Sequence, residues 1–151
     1  MKVVIQKVKE AKVVVEDKIV GSIDHGFVLV VGIETTDTLQ DIEKAADKIS
    51  KIRLFDDEDG KINLSIQDVK GSILSISQFT LAADIRKGNR PSFIGAMAQD
   101  KAQEYYELFN EALRKEGIDV QTGVFQTQMN VILDNDGPVS IVMEVKDGKV
   151  L

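Results

Sequence analysis

The chain has no cysteine, no tryptophan, one histidine and two prolines in 151 residues. Without a thiol there can be no disulfide, no thiolate nucleophile and no cysteine-type zinc site. A single imidazole cannot build a histidine-rich metal centre. That imidazole, His25, lies in the short turn Asp24-His25-Gly26, and nothing near it in sequence suggests a Ser-His-Asp arrangement. A Walker loop and the glycine signature of dinucleotide-binding folds are also missing, so no nucleotide cofactor is suggested. The N-terminal segment carries Lys2, Lys7, Lys9 and Glu10, which leaves no signal-peptide core. No apolar run approaches the roughly 18 residues that cross a bilayer. These absences predict a soluble, cytoplasmic protein that works without metal or cofactor.

What remains suits one globular domain spanning residues 1–151, with 43% hydrophobic and 29% charged residues. The net charge of −6 and a pI near 4.8 oppose a broad nucleic-acid-binding surface, which rests on positive charge. One local exception is Arg86-Lys87-Gly88-Asn89-Arg90, the densest positive cluster. It reads either as a solvated turn or as a small phosphate contact.

Lys2–Val8, Ala11–Glu16, Ile19–Ile23 and Phe27–Ile33 carry the β-branched, alternating or continuous apolar patterns of strands. Their simplest arrangement is an antiparallel meander, with the wholly apolar Phe27–Ile33 as a central strand covered on both faces. Thr36-Asp37 offers a helix N-cap, and Leu39, Ile42, Ala45, Ala46, Ile49 and Ile52 follow at helical spacing. Asp56-Asp57-Glu58-Asp59-Gly60 fails as a calcium loop, because Phe55 and Ile66 would fall on its first and last ligand positions. An acidic hairpin turn is expected there. A second amphipathic helix is predicted over Asp100–Glu116, with Tyr105 and Tyr106 on its buried stripe and Gly117 closing it. Strands at Val120–Phe125, Gln128–Leu133 and Val139–Val145 complete a mixed α/β domain of largely antiparallel sheet with two main helices.

Two stretches stand out. The strand Ser72–Ile76 runs into Ser77-Gln78-Phe79-Thr80-Leu81-Ala82-Ala83-Asp84, and the basic cluster follows it. Strand ends that open into polar loops are where rigid scaffolds place functional groups. The second stretch, Asn135-Asp136-Gly137-Pro138-Val139-Ser140, reads as a turn and holds one of the two prolines.

Together the two resemble the paired signatures of the D-aminoacyl-tRNA deacylases, the second being that family's Gly-cisPro motif. Val4-Ile5-Gln6-Lys7-Val8, Gly88-Asn89-Arg90-Pro91-Ser92-Phe93 and Gln121-Thr122-Gly123 extend the resemblance over essentially the whole chain. It implies a metal-independent homodimer that hydrolyses the ester of D-aminoacyl-tRNA, and of tRNA mischarged with glycine. Each subunit's Gly137-Pro138 loop would enter the partner's pocket and select chirality. The amides of Phe79 and Thr80 would stabilise the oxyanion, with the side chains of Ser77, Gln78 and Thr80 orienting the reactants. Water activation would fall to the 2′-hydroxyl of the terminal ribose. Arg86, Lys87 and Arg90 would meet phosphates of the tRNA acceptor end, and Phe125 would stack on its terminal adenine.

The chain departs from the family pattern at Lys7, where arginine is usual, and at Ser140, where threonine is usual. Both would support the Gly-Pro loop, and lysine lacks the planar fork of donors that arginine brings. Three other readings stay open from the residues themselves. Thr80 could act as a nucleophile, although it would need a base. The chain could bind a tRNA acceptor end without catalysis, or hydrolyse small D-amino-acid esters.

Overall fold

In the computed structural model, which describes residues 1–151, the chain opens with β1 (Lys2–Val15), β2 (Lys18–Ile23) and β3 (Gly26–Gly32). Lys2–Val8 and Ala11–Glu16, expected as two strands, are a single strand. The charged pair Lys9-Glu10 at its midpoint points to solvent instead of ending it. Nor do the strands form a meander. The short β2 pairs only with the second half of β1, and β3 pairs with the first half, from Lys2↔Gly32 to Val8↔Gly26.

α1 (Leu39–Lys51) follows, capped by Thr38 and not by Thr36 or Asp37. The Asp41 carboxylate accepts from the Thr38 amide at 2.9 Å and from the Thr38 hydroxyl at 3.1 Å. Asp37 turns inward instead, taking the Glu34 amide at 2.6 Å and pairing with the Met1 ammonium. β4 (Arg53–Asp56) and β5 (Ile62–Ser65) form the hairpin around the acidic turn. Asp57 accepts the amides of Asp59 and Lys61 at 2.9 and 3.0 Å, so its carboxylate builds the turn.

β6 (Ser72–Ser77), a 3-10 turn (Phe79–Ala82), α2 (Gln99–Lys115) and β7 (Asp119–Thr122) come next. β6 is parallel to both β3 and β7. Parallel neighbours need long crossovers, which α1 with the β4–β5 hairpin, and α2, supply. β8 (Asn130–Lys146) then runs antiparallel along the entire length of β1 and turns back into β9 (Lys149–Val150). The resulting sheet has the order β7-β6-β3-β1-β8-β9, with β2 beside β1.

Both faces of this sheet are covered where β3 and β6 lie. On one face α1 and α2 pack Ile42, Ile49, Phe109 and Leu113 against Val3, Ile5, Phe27, Leu29 and Ile73. On the other, Val8, Ala11, Val13 and Ile23 from β1 and β2 close over Val28, Leu74 and Ile76. The continuous apolar run of β3 is explained by its side chains entering both clusters. Each fully buried large side chain contributes about 1.5–3 kcal/mol. No helix is long and apolar enough to cross a membrane.

β3 and β6 begin so close together that Gly26 cannot carry a side chain. A Cβ there would stand 1.8 Å from the Ser72 carbonyl oxygen. Gly26→Ala is expected to destabilise the fold by about 3 kcal/mol, since the clash is with main chain and cannot be relieved by a rotamer. Gly88→Ala, with nothing within 4 Å, should cost about 1 kcal/mol, for its left-handed backbone alone. Urea unfolding of the two variants checks the contrast.

Candidate active site

The first signature emerges where β6 ends. Ser77 is the last strand residue and lies opposite Val31 of β3. The Gln78 amide donates to the Val31 carbonyl at 2.7 Å, and the chain then tightens into the 3-10 turn. Within it the amides of Leu81 and Ala83 reach the carbonyls of Gln78 and Thr80 at 3.3 and 3.1 Å. Those of Phe79 and Thr80 have no partner among the turn and loop hydrogen bonds. Main-chain amides at a fixed strand end can receive a developing oxyanion. The Gln78 side-chain amide donates to the Thr80 hydroxyl. An amide donor on that oxygen draws electron density away from it, the opposite of what a base does.

A cleft of about 620 Å³ opens beside this turn, lined by Ser77, Gln78, Phe79, Phe93, Phe125 and Met129 among others. Phe79, 55% exposed, meets Phe93 edge-on at 5.1 Å between ring centres. Phe125 forms another part of the wall and stacks on Tyr106 at 6.2 Å. It follows β7 in a loop instead of ending a strand, because pairing with β6 stops at Thr122. Apolar walls with a few polar groups at one end suit a small organic moiety. Phe93, Ala96, Met97 and Met129 were not identified as site residues from the sequence. Phe93 closes the stretch Gly88–Phe93 that shares in the resemblance, and the only signal for the other three was proximity to the basic loop or to the last strands.

The basic loop is pinched shut by reciprocal backbone bonds between Asp84 and Ser92 at 2.8 and 2.9 Å. Arg86 folds back on Asp84, with hydrogen bonds of 2.9 and 2.6 Å. The Arg86 guanidinium, together with its backbone amide, holds the Asp84 carboxyl well below the usual carboxylate range. A depressed folded-state pKa means the pairing is intact above the ordinary carboxylate range and is lost only as pH falls through the lowered value. Arg86 is therefore occupied at neutral pH, while Lys87 and Arg90 have no ion-pair partner.

The second signature lies elsewhere on the sheet. Its predicted turn is absorbed into β8 as a bulge. Between Gln6↔Ser140 and Val8↔Asn135, β1 advances two positions and β8 five. Gly137 and Pro138 are exposed on that bulge, and the bond between them is cis. Ser77 is level with Val31, Val3 and Met143, whereas the bulge is level with Lys7. Four residues along the strands and three strands across separate them by about 20 Å. One chain does not bring the two signatures together.

Lys7 is 4% exposed, and its ammonium lies over the Phe55 ring at 5.9 Å. No hydrogen bond from it to the Gly-Pro bulge is present, so here the side chain serves the core under β1. Ser140 is exposed at the end of the bulge. His25 sits at the opposite end of β3 from Ser77. Its Nε2 lies 3.0 Å from the Val69 carbonyl oxygen, and it meets Phe55 edge-on.

Comparison with known proteins gives the family and the fold. The family model described as D-Tyr-tRNA(Tyr) deacylase matches residues 4–144. A D-aminoacyl-tRNA deacylase of Geobacillus sp. (strain WCH70) is 54% identical over 147 residues, covering 97% of each chain. One of Lactobacillus acidophilus is 53% identical over 145 residues, 96% of this chain and 100% of that one. Among solved structures, the c-Myc DNA Unwinding Element Binding Protein superposes with a TM-score of 0.89 at 38% identity, over 95% of this chain and 98% of that one. A probable eukaryotic D-amino acid tRNA deacylase, at 18% identity, shares the fold with a TM-score of 0.81 over 93% and 97% of the two chains.

The position of the turn depends on Gly32, at the end of β3, which the sequence reading passed over. A Cβ at Gly32 would stand 2.7 Å from the Leu81 Cβ and 3.2 Å from the Gln78 carbonyl oxygen. Gly32→Ala should push the 3-10 turn off β3 at a cost of about 1–3 kcal/mol. Faster hydrogen exchange at Leu81 and Ala83, with the core of α1 unchanged, is the expected result.

Proposed function

This chain belongs to the D-Tyr-tRNA(Tyr) deacylase family, and we propose that it hydrolyses the ester of D-aminoacyl-tRNA in the cytoplasm, releasing free D-amino acid and tRNA. The observation that carries the reading is the tight turn at the end of β6, from which Ser77, Gln78 and Phe79 line an apolar cleft.

An aminoacyl ester is already activated, so the protein needs to hold it, stabilise charge on the carbonyl oxygen and admit a water. The water oxygen adds to the carbonyl carbon, and the resulting oxyanion takes the Phe79 and Thr80 amides. Losing one such donor typically costs on the order of 10²–10³ in rate. The neighbouring ribose hydroxyl acts as a relay, taking the water's proton while giving its own to the departing ribose oxygen as the C–O bond breaks. Ser77 and Gln78 orient the reactants. The hydrogen bond from Gln78 to Thr80 and the remoteness of His25 favour this over nucleophilic attack by Thr80, which has no base beside it. Glycine mischarged on tRNA fits the same site, since it has no side chain to reject.

The second signature acts in trans. In one chain Gly137 and Pro138 lie about 20 Å from Ser77, but they are exposed and able to enter a partner's cleft. The sheet face they border is open and carries an apolar row: Val142 is 71% exposed, in register with Val4, which is itself in register with Val30, between Gln6 and Ser140 on one side and Lys2 and Glu144 on the other. Two such faces pair to form a homodimer with a site at each side of the interface. The carbonyls of Gly137 and Pro138 would accept from the α-ammonium of the D-substrate and collide with an L side chain. Thousand-fold rejection requires about 4 kcal/mol, within reach of a clash against rigid main chain. Lys87 and Arg90 meet acceptor-end phosphates, Arg86 being neutralised by Asp84. Phe125 supports the terminal adenine from the cleft wall.

Matched D- and L-aminoacyl-tRNA, with a 2′-deoxy terminal adenosine as control, provide the test. Rapid deacylation of the D form, an intact L form and a large loss with the 2′-deoxy control are expected. Equal rates on both enantiomers would refute the reading. Thr80→Val should keep activity within about tenfold of wild type, whereas an acyl adduct trapped on Thr80 would favour the nucleophile.

Val142→Lys places a charge in the middle of the apolar face. It should yield a folded monomer by light scattering, with deacylation lost because the partner's Gly137-Pro138 is no longer supplied. A monomer of undiminished activity would show that the site is complete within one chain.

A further inference from the structure

Behind the catalytic turn, between α2 and β6, lies a small polar cluster in an otherwise apolar layer. The Tyr106 hydroxyl donates to the Ser75 carbonyl at 2.7 Å. Ser75 is completely buried and stands two residues before Ser77. Asn110, one helical turn along α2, flanks the same hydroxyl and is also buried. Neither the Ser75 hydroxyl nor the Asn110 carbonyl oxygen has a protein partner. Burial pushes the Tyr106 hydroxyl above its ordinary pKa, so it remains protonated and keeps donating. The ring of the same tyrosine stacks on Phe125, at an interplanar angle of 29°. Phe125 in turn lines the cleft.

Burying a polar group costs free energy unless it is hydrogen-bonded, and the Tyr106 hydroxyl meets that condition through the Ser75 carbonyl. A phenylalanine would fill the volume of Tyr106 and back Phe125 equally well. The hydroxyl adds one thing: it ties helix α2 to the strand that ends in the catalytic turn.

We propose that Tyr106 is a positioning residue for deacylation, its hydroxyl fixing the end of β6 so that the Phe79 and Thr80 amides stay aimed, while its ring braces the Phe125 wall against the bound substrate. The inference rests on the function assigned above. It divides one side chain into two separable roles, the hydroxyl acting on turnover and the ring on binding. Displacement of reacting groups by a fraction of an ångström to 1 Å is enough to cost ten- to hundredfold in rate.

The test compares Tyr106→Phe and Tyr106→Leu with wild type for kcat, KM and amide hydrogen exchange. Tyr106→Phe should lose about tenfold in kcat with KM unchanged, and exchange at Leu81, Ala82 and Ala83 should quicken while that of α1 does not. Tyr106→Leu should in addition raise KM, because Phe125 loses its backing. A Tyr106→Phe variant with wild-type kcat would overturn the proposal whatever its thermal stability. So would a loss of kcat without faster exchange in the turn, which would place the effect elsewhere. If the wild-type protein does not deacylate D-aminoacyl-tRNA at all, the assigned function fails. The exchange comparison still decides the hydroxyl's role, and unchanged turn amides would overturn it.

Discussion

Catalysis by main-chain amides demands that the strand carrying them cannot move, because a peptide group has no rotamer with which to correct its aim. β6 meets that demand by being held on four sides. β3 and β7 bond to its two edges. Ile73 is buried under the helices, and Leu74 and Ile76 are buried under β1 and β2. As far as Ser75 such a strand opens only with the whole fold, whereas Ile76 and Ser77, beyond the reach of β7, are bonded along the β3 edge alone. The 3-10 turn that follows is seated directly on Gly32, which transmits the same rigidity past the end of the ladder.

The chemistry follows from what the chain lacks as much as from what it holds. With no thiol and one remote imidazole, an activated nucleophile would have to be a hydroxyl without a base. The hydroxyl that is present, on Thr80, accepts a hydrogen bond from an amide. An ester with its own neighbouring hydroxyl removes the need for a base, and the protein's task reduces to electrostatics and placement. The acidic surface agrees with this division of labour. Arg86, in the densest basic stretch, is already paired with Asp84, which favours the proposed recognition of tRNA at its end.

Much of the fold was legible because burial leaves a local record. The apolar run of β3, the helical stripes of α1 and α2, and the acidic hairpin each follow from periodicity or turn chemistry. Tyr105 and Tyr106 were readable as core residues from helical spacing, and both are buried. The two misread strand breaks have one cause. Lys9-Glu10 and the Asn135–Ser140 stretch look like breaks, but β1 and β8 run side by side through both, and a long partner strand tolerates a bulge that would end an isolated one. The N-cap moved to Thr38 because Asp37 was drawn inward by the Met1 ammonium, a partner far away in sequence. Gly32 left no local trace beyond being a glycine at the end of an apolar strand.

The amino-acid sequence by itself determined which residues are chemically able to act: the strand-end signature, the Gly137-Pro138 signature, and the lack of any thiol and of any imidazole but His25. Tertiary structure alone decided how those residues are related. It put the two signatures about 20 Å apart on one sheet, laid Lys7 over Phe55, and tied Tyr106 to the strand behind the site. The reason is physical. Local pattern reports which face of an element is buried, but distances between functional groups are set by non-local strand register and crossover geometry, which no short window of sequence contains.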